Sequence, residues 1–197
     1  MTDAVVELDL PFRGTRNYIW SGDLMIALDA LARKSAADGY LRKIVLRRMS
    51  QHGMEAHLSR PSDACGTFQL HKHGGVSDGW LVETTRPVER RIPFDEDPIW
   101  RAASRQPGMI AIPAALPGYD IFEQLIVLVK ILANQIKPGR WVSSSVELAE
   151  HLPRNVALAV VLEQTMLGRG MRAAVCSGGR TVGWAEMVLP KSEREKT

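Results

Sequence analysis

The stretch GGVSDGW, Gly74 to Trp80, returns 104 positions later as GGRTVGW, Gly178 to Trp184. A frame of two glycines, three variable residues and Gly-Trp, used twice, asks whether the chain holds two copies of one larger unit. Strand-like runs flank both frames: TFQLHKH and MRAAVCS enter them, GWLVETTRPV and GWAEMVLP leave them. Glycine reaches the positive-φ wells of tight turns, so Gly-Gly is expected to turn a hairpin in each copy.

Outward from the frames, a shift of 101 sets Tyr18 on Tyr119, Leu24 on Leu125, Leu31 on Leu132, Val45 on Val146 and Ala56 on Ala157, without a gap over about forty residues. A net insertion of three residues around Leu162 to Gly170 then brings the shift to 104. Each half opens on a short extended segment, AVVELDLP or GMIAIPAALP, ended by proline and glycine. A helix follows in each. The first is expected over Gly22 to Ala36, with Ser21 as N-cap, Asp23 in the first turn and Asp38-Gly39 as the stop. The second is expected over Tyr119 to Ile136, with Asp120 and Glu123 near its start and Pro138-Gly139 behind it. Extended runs Tyr40 to Met49 and Trp141 to Glu150 then lead through MEAHLS and VALAVVLEQ into the hairpins.

The expected organisation is a repeat over 1–90, a crossover with a short helix over 91–107, a second repeat over 108–190, and a disordered tail, KSEREKT, over 191–197. The second helix is apolar nearly all round, because Ile121, Phe122, Leu125, Ile126, Val127, Leu128, Val129, Ile131, Leu132 and Ile136 fit no single stripe. Such a helix must be enclosed, and a curved antiparallel sheet wrapped around it does so. The fold class is α+β. A different α+β fold is the alternative if helix-then-strand periodicity alone produces the self-alignment.

Composition narrows the function. Hydrophobic content of 45% and charged content of 24% are globular values, so disorder is not the default. A net charge of +3 argues against a dedicated nucleic-acid binder. Cys65 and Cys176 form no CxxC pair, so neither a disulfide framework nor a zinc site is indicated, and a reducing cytoplasm fits. The start MTDAVVELDL carries acids where a signal peptide needs a basic region. The most apolar run, Ile121 to Ile136, is too short and too interrupted to span a bilayer comfortably.

A central helix wrapped by an antiparallel sheet, in tandem units of about a hundred residues, resembles the hotdog fold, and two units in one chain resemble a double hotdog. The resemblance rests on element order and hydrophobic pattern from about Val5 to Pro190. It implies an acyl thioester of coenzyme A or acyl carrier protein as partner, handled by a thioesterase or a 3-hydroxyacyl dehydratase. A non-catalytic acyl-CoA binding or assembly protein of the same fold is the second reading. Missing motifs favour that second reading: neither the Phe-Pro-Gly histidine nor the Asp-x-Asn-Pro-x-His stretch of the dehydratases occurs. His73-Gly74-Gly75 matches a thioesterase motif in residues but precedes a strand rather than a helix.

Thioester chemistry needs donors for a developing oxyanion and a base for water or a proton. Asn17 to Leu24, NYIWSGDL, supplies both at a helix start: Ser21 and Gly22 as substrate-binding residues, Gly22 letting a ligand approach the backbone, and Asp23 as the base. Tyr18 and His57 join Asp23 as catalytic candidates, His57 by facing an acyl tunnel. Asp23 has the plainer reading of complementing the helix dipole. Under the shift Gln124 faces Asp23, so a site would be single and asymmetric. Arg47 and Arg48 are candidates for the phosphates of a coenzyme A tail, or simply the solvated end of a strand. His71 and His73 alternate on one strand face but lack a third ligand, so no metal is expected, and no cofactor. A homodimer through sheet edges is the expected assembly.

Overall fold

A computed structural model of the chain describes residues 5–166 and 169–190; the tail expected at 191–197 lies outside the described residues. The fold is α+β. Two compact units emerge: Met1–Glu96 with Glu147–Leu152, and Asp97–Val146 with Pro153–Thr197.

The first unit runs β1 (Val5–Leu8), β2 (Phe12–Arg13), α1 (Ser21–Ser35), β3 (Tyr40–Leu46), β4 (His52–His57), β5 (Gly66–Lys72), β6 (Gly75–Pro87) and β7 (Arg91–Ile92). Its main strands lie in the order β1-β4-β6-β5-β3, and β2 pairs β7 in parallel as a separate two-stranded piece. The neighbours β1–β4, β4–β6, β6–β5 and β5–β3 are all antiparallel. Side chains alternate across these strands. Met54, Ala56, Phe68, Leu70 and Leu81 are buried on one face, where α1 lays down Leu24, Met25, Leu28 and Ala32.

In the second unit α2 (Asp97–Ala102), β8 (Ser104–Gln106), β9 (Met109–Ile112), α3 (Ile121–Ile136), β10 (Val142–Leu148), β11 (Leu158–Met166), β12 (Gly170–Ser177) and β13 (Arg180–Val188) follow. Strand order is β10-β13-β12-β11-β9-β8. Every residue of α3 from Ile121 to Val129 is buried, as are Ile131 to Ala133, as its all-round apolar pattern requires. Ile110, Ile112, Val160, Ala173, Val175 and Met187 face it from the sheet. No helix among the described residues is long and apolar enough to cross a membrane.

Both glycine frames lie in two-residue hairpins, but they turn at different places. In the second, Gly178 and Gly179 have φ of 57° and 76°, and Ser177 pairs with Arg180. In the first, the turn is His73-Gly74, with φ of 51° and 71°, and Gly75 already pairs with Lys72. The expected Gly74-Gly75 turn is therefore one residue off. The reason is Asp38, whose carboxylate accepts the N–H groups of His73 (3.1 Å) and Gly74 (3.3 Å) and so supports a left-handed histidine. A bulge at Val182, between the pairs Cys176–Thr181 and Val175–Gly183, takes up the difference. Gly79 and Gly183 consequently both face the core, and Trp80 and Trp184 both face away from it.

Candidate functional site

The approach to α1 is fixed before the helix begins. Ile19 bridges Phe12, and its N–H donates to the carbonyl of Ser50 at 2.7 Å. The N-cap is Trp20, one residue earlier than expected; indole offers no acceptor, so the cap is made by its carbonyl, which receives the N–H of Asp23 and Leu24. Ser21 is thus the first helical residue rather than the cap. The N–H groups of Ser21 and Gly22 have no partner among the described residues, as expected of a helix start without a side-chain cap.

Gly22 has a different purpose from the one expected. A β-carbon there would lie 2.7 Å from the Trp20 ring, so the glycine admits indole rather than leaving open space for a ligand. Asp23 is 6% exposed and gripped by Arg13 of β2: Nε donates to Oδ1 at 2.9 Å and to Oδ2 at 3.0 Å, and Nη2 to Oδ1 at 2.6 Å. A carboxylate has about four lone-pair sites, so these bonds leave one, on Oδ2. Around the pair sits an aromatic and cationic stack. Trp20 and Phe94 rings are 4.6 Å apart, the Arg13 guanidinium lies 5.3 Å from the Phe94 ring centre, and Arg16 lies 5.4 Å from that of Trp20 while pairing with Glu96. The parallel β2–β7 pairing brings these two stretches of chain together.

Other expected residues fall elsewhere. Tyr18 is half-buried, three residues before α1. Arg47 and Arg48 are exposed on the loop after β3, and Ser50 of that loop is the residue that holds Ile19. Arg48 approaches Glu83 at 3.4 Å, and Glu83 also accepts the N–H groups of Gln51 (2.6 Å) and His52 (3.1 Å). Burial alone would raise the Glu83 carboxyl, but these two N–H groups, the His52 ring and Arg48 together hold it below the usual range.

His57 does not face a tunnel. It alternates with the core-facing Met54 and Ala56, so it lies on the opposite face of β4, and its Nε2 is 3.0 Å from Oε2 of Glu55. Nor do His71 and His73 share a strand face: His73 sits in the turn, and His71 stacks on Tyr40 at 4.8 Å. Among the described residues no three His, Cys, Asp or Glu side chains gather as a metal site, and Cys65 and Cys176 are both free. Burial raises the Cys65 thiol, which the Ser50 hydroxyl only partly offsets.

The second unit treats the equivalent position differently. Asp120 and Glu123 form a capping box on α3, with the Glu123 carboxylate receiving the Asp120 N–H at 2.8 Å. Gln124, opposite Asp23 in the sequence alignment, is buried and bonds Leu116 N–H and Tyr119 C=O, closing the loop before its own helix. An amide spent on backbone cannot take up a proton. Reasoning from sequence missed Arg13, Arg16, Phe94 and Glu96. The available signal was Asp23 itself, a helix acid with no basic residue three or four positions away, which must find its counter-charge elsewhere in the chain.

No protein-family model matches this chain, and no curated protein matches it in sequence. Solved structures do resemble it in fold. A Thermobifida fusca protein assigned as a thioesterase II is 12% identical, with 97% of this chain and 93% of that one covered at a TM-score of 0.52. The dehydratase domain of PpsC from Mycobacterium tuberculosis, solved with C12:1-CoA, is 10% identical over 95% and 93% at 0.51. A bifunctional dehydratase-cyclase domain of ambruticin biosynthesis is 11% identical over 96% and 90% at 0.50. The fold is the hotdog fold.

Proposed function

We propose that this protein acts on an acyl thioester of coenzyme A or acyl carrier protein at the start of α1, as a thioesterase or a 3-hydroxyacyl dehydratase. The observation that carries the reading is the pairing of two free helix-start donors, the N–H groups of Ser21 and Gly22, with a carboxylate one residue later. The donors suit a thioester oxygen as it gains negative charge. The remaining lone pair on Asp23 Oδ2 is the base, for water in hydrolysis or for the acyl α-proton in dehydration. Arg13 holds that carboxylate in place, Tyr18 lies on the approach to the same helix, and Arg47 and Arg48 supply cations for coenzyme A phosphates. The names of two fold neighbours, a thioesterase II and a dehydratase domain solved with C12:1-CoA, support the same chemical class. Two free thiols suit a reducing cytoplasm, and a strand at the end of a unit's sheet, such as β1 or β8, is where a second copy would add.

The non-catalytic reading draws on a specific observation too: Arg13 occupies most of the Asp23 carboxylate, and the Trp20 ring covers Gly22. Two assays separate the readings. Free-thiol release from an acyl-CoA series and hydration of enoyl thioesters should reveal turnover, and Asp23→Asn should lower it by about 100-fold or more with the fold intact by circular dichroism. Turnover that survives Asp23→Asn moves the site away from α1. Acyl-CoA binding by calorimetry without turnover in either assay selects the binding protein.

A further inference from the structure

At the C-terminal end of α3 the second unit opens into a groove of about 410 Å³, within the ~300–1,000 Å³ range of small-molecule sites. Its floor is apolar, with Ile136 and Leu162 at the surface and the fully buried Leu132 beneath them. Local chain geometry creates the space. Pro107 and Gly108 form the two-residue turn between β8 and β9, with Gly108 at a φ of 74°, and the Gly108 carbonyl accepts the N–H of Leu162 at 2.8 Å. Just beyond Leu162 the β11 register slips, so the strand leaves its regular ladder there.

The rim is polar and cationic. Arg105 pairs across β8–β9 with the fully buried Ile110, which puts it on the α3 side of the sheet. Its guanidinium is 5.3 Å from the Trp100 ring centre, and Nη2 donates to the Trp100 carbonyl at 2.6 Å. These contacts orient the cation without neutralising it, since neither partner carries a formal charge, and no carboxylate pairs with Arg105 among the described residues. The side-chain amides of Gln106 and Gln135 also line the rim, with no partner among the described residues. An oriented, uncompensated guanidinium above an aliphatic floor selects an amphipathic anion.

We propose that this groove binds a medium-chain monocarboxylate, with its head on Arg105 and its tail over Ile136 and Leu162. The last carbonyls of α3 disfavour an anion at the helix end, which fixes that polarity. The site is independent of the α1 site and of the thioester reading. Calorimetry with octanoate, 1-octanol and octyltrimethylammonium tests it on the full chain. Octanoate should bind roughly tenfold more tightly than either companion. Arg105→Gln should remove that advantage while leaving octanol binding as it was. Gln135→Trp, at an exposed position, should fill the groove and abolish binding of both. No octanoate binding at millimolar concentration, equal binding of the three head groups, or variants that bind octanoate like the parent protein would each overturn the proposal.

Discussion

A β-carbon on Gly79 would lie 2.1 Å from Cζ of Phe68, the residue it opposes across β5–β6, so the glycine of the first frame exists to make room for a buried aromatic ring. Its conformation is not the reason, because Gly79 lies in a regular strand rather than at positive φ. Gly79→Ala should therefore cost roughly 1–3 kcal/mol through overpacking. In urea unfolding the midpoint should fall, and adding Phe68→Leu should recover part of the loss. A Gly79→Ala protein as stable as its parent would mean that the ring lies elsewhere. The same logic applies at Gly22, where indole takes the space, and it shows that a glycine in sequence does not declare whether chain, side chain or ligand fills the gap it leaves.

Among the elements, the crossing from β3 to β4 shows how a loop is bound to the sheet. Glu83 on β6 gathers Gln51 N–H, His52 N–H, the His52 ring and Arg48 around one half-buried carboxylate. Its carboxyl is depressed in the folded protein, so the stabilisation is present above the unfolded glutamate pKa, ~4.3, and is lost as pH falls through the lower folded value. Glu83→Gln should consequently be less stable than the parent at pH 7, and the two should converge as the pH falls below about 4. Equal stability at pH 7 would show that the carboxylate contributes nothing to the loop. The helices differ in the same physical terms. α3 carries a full capping box, while α1 relies on a backbone carbonyl, which leaves its first N–H groups without a side-chain cap.

For the whole molecule, the units are not contiguous in sequence: the first takes in Glu147–Leu152 along with residues up to Glu96. Those six residues make named contacts within it. Tyr40 donates its hydroxyl to the Ala149 carbonyl at 3.1 Å, Lys43 reaches Glu147 at 2.8 Å, and His151 meets the Tyr40 ring edge-on. A chain ending at residue 96 should therefore associate or unfold non-cooperatively, whereas the same fragment with residues 147–152 joined by a flexible linker should be better folded. Light scattering and urea unfolding of both would check this, and identical behaviour of the two fragments would count against it.

The helices and the hairpins were legible in sequence because short-range physics governs them. Apolar residues on all sides of α3 demand enclosure wherever they stand, and alternating apolar and polar residues ending at glycine demand strands and turns. The α1 start was legible only in part: Asp23 and its helix position could be read, but its meaning could not. Arg13, ten residues from Asp23, binds it, and Phe94 and Glu96, more than seventy residues on, come to Trp20 and Arg16 beside it where β2 and β7 pair. Charge pairing acts through space, so no local window of sequence contains it. The face of His57 likewise depended on which side of β4 met α1, a one-residue question of register that packing decides. Local pattern determined the elements of this protein, and tertiary packing decided which partners their polar groups find.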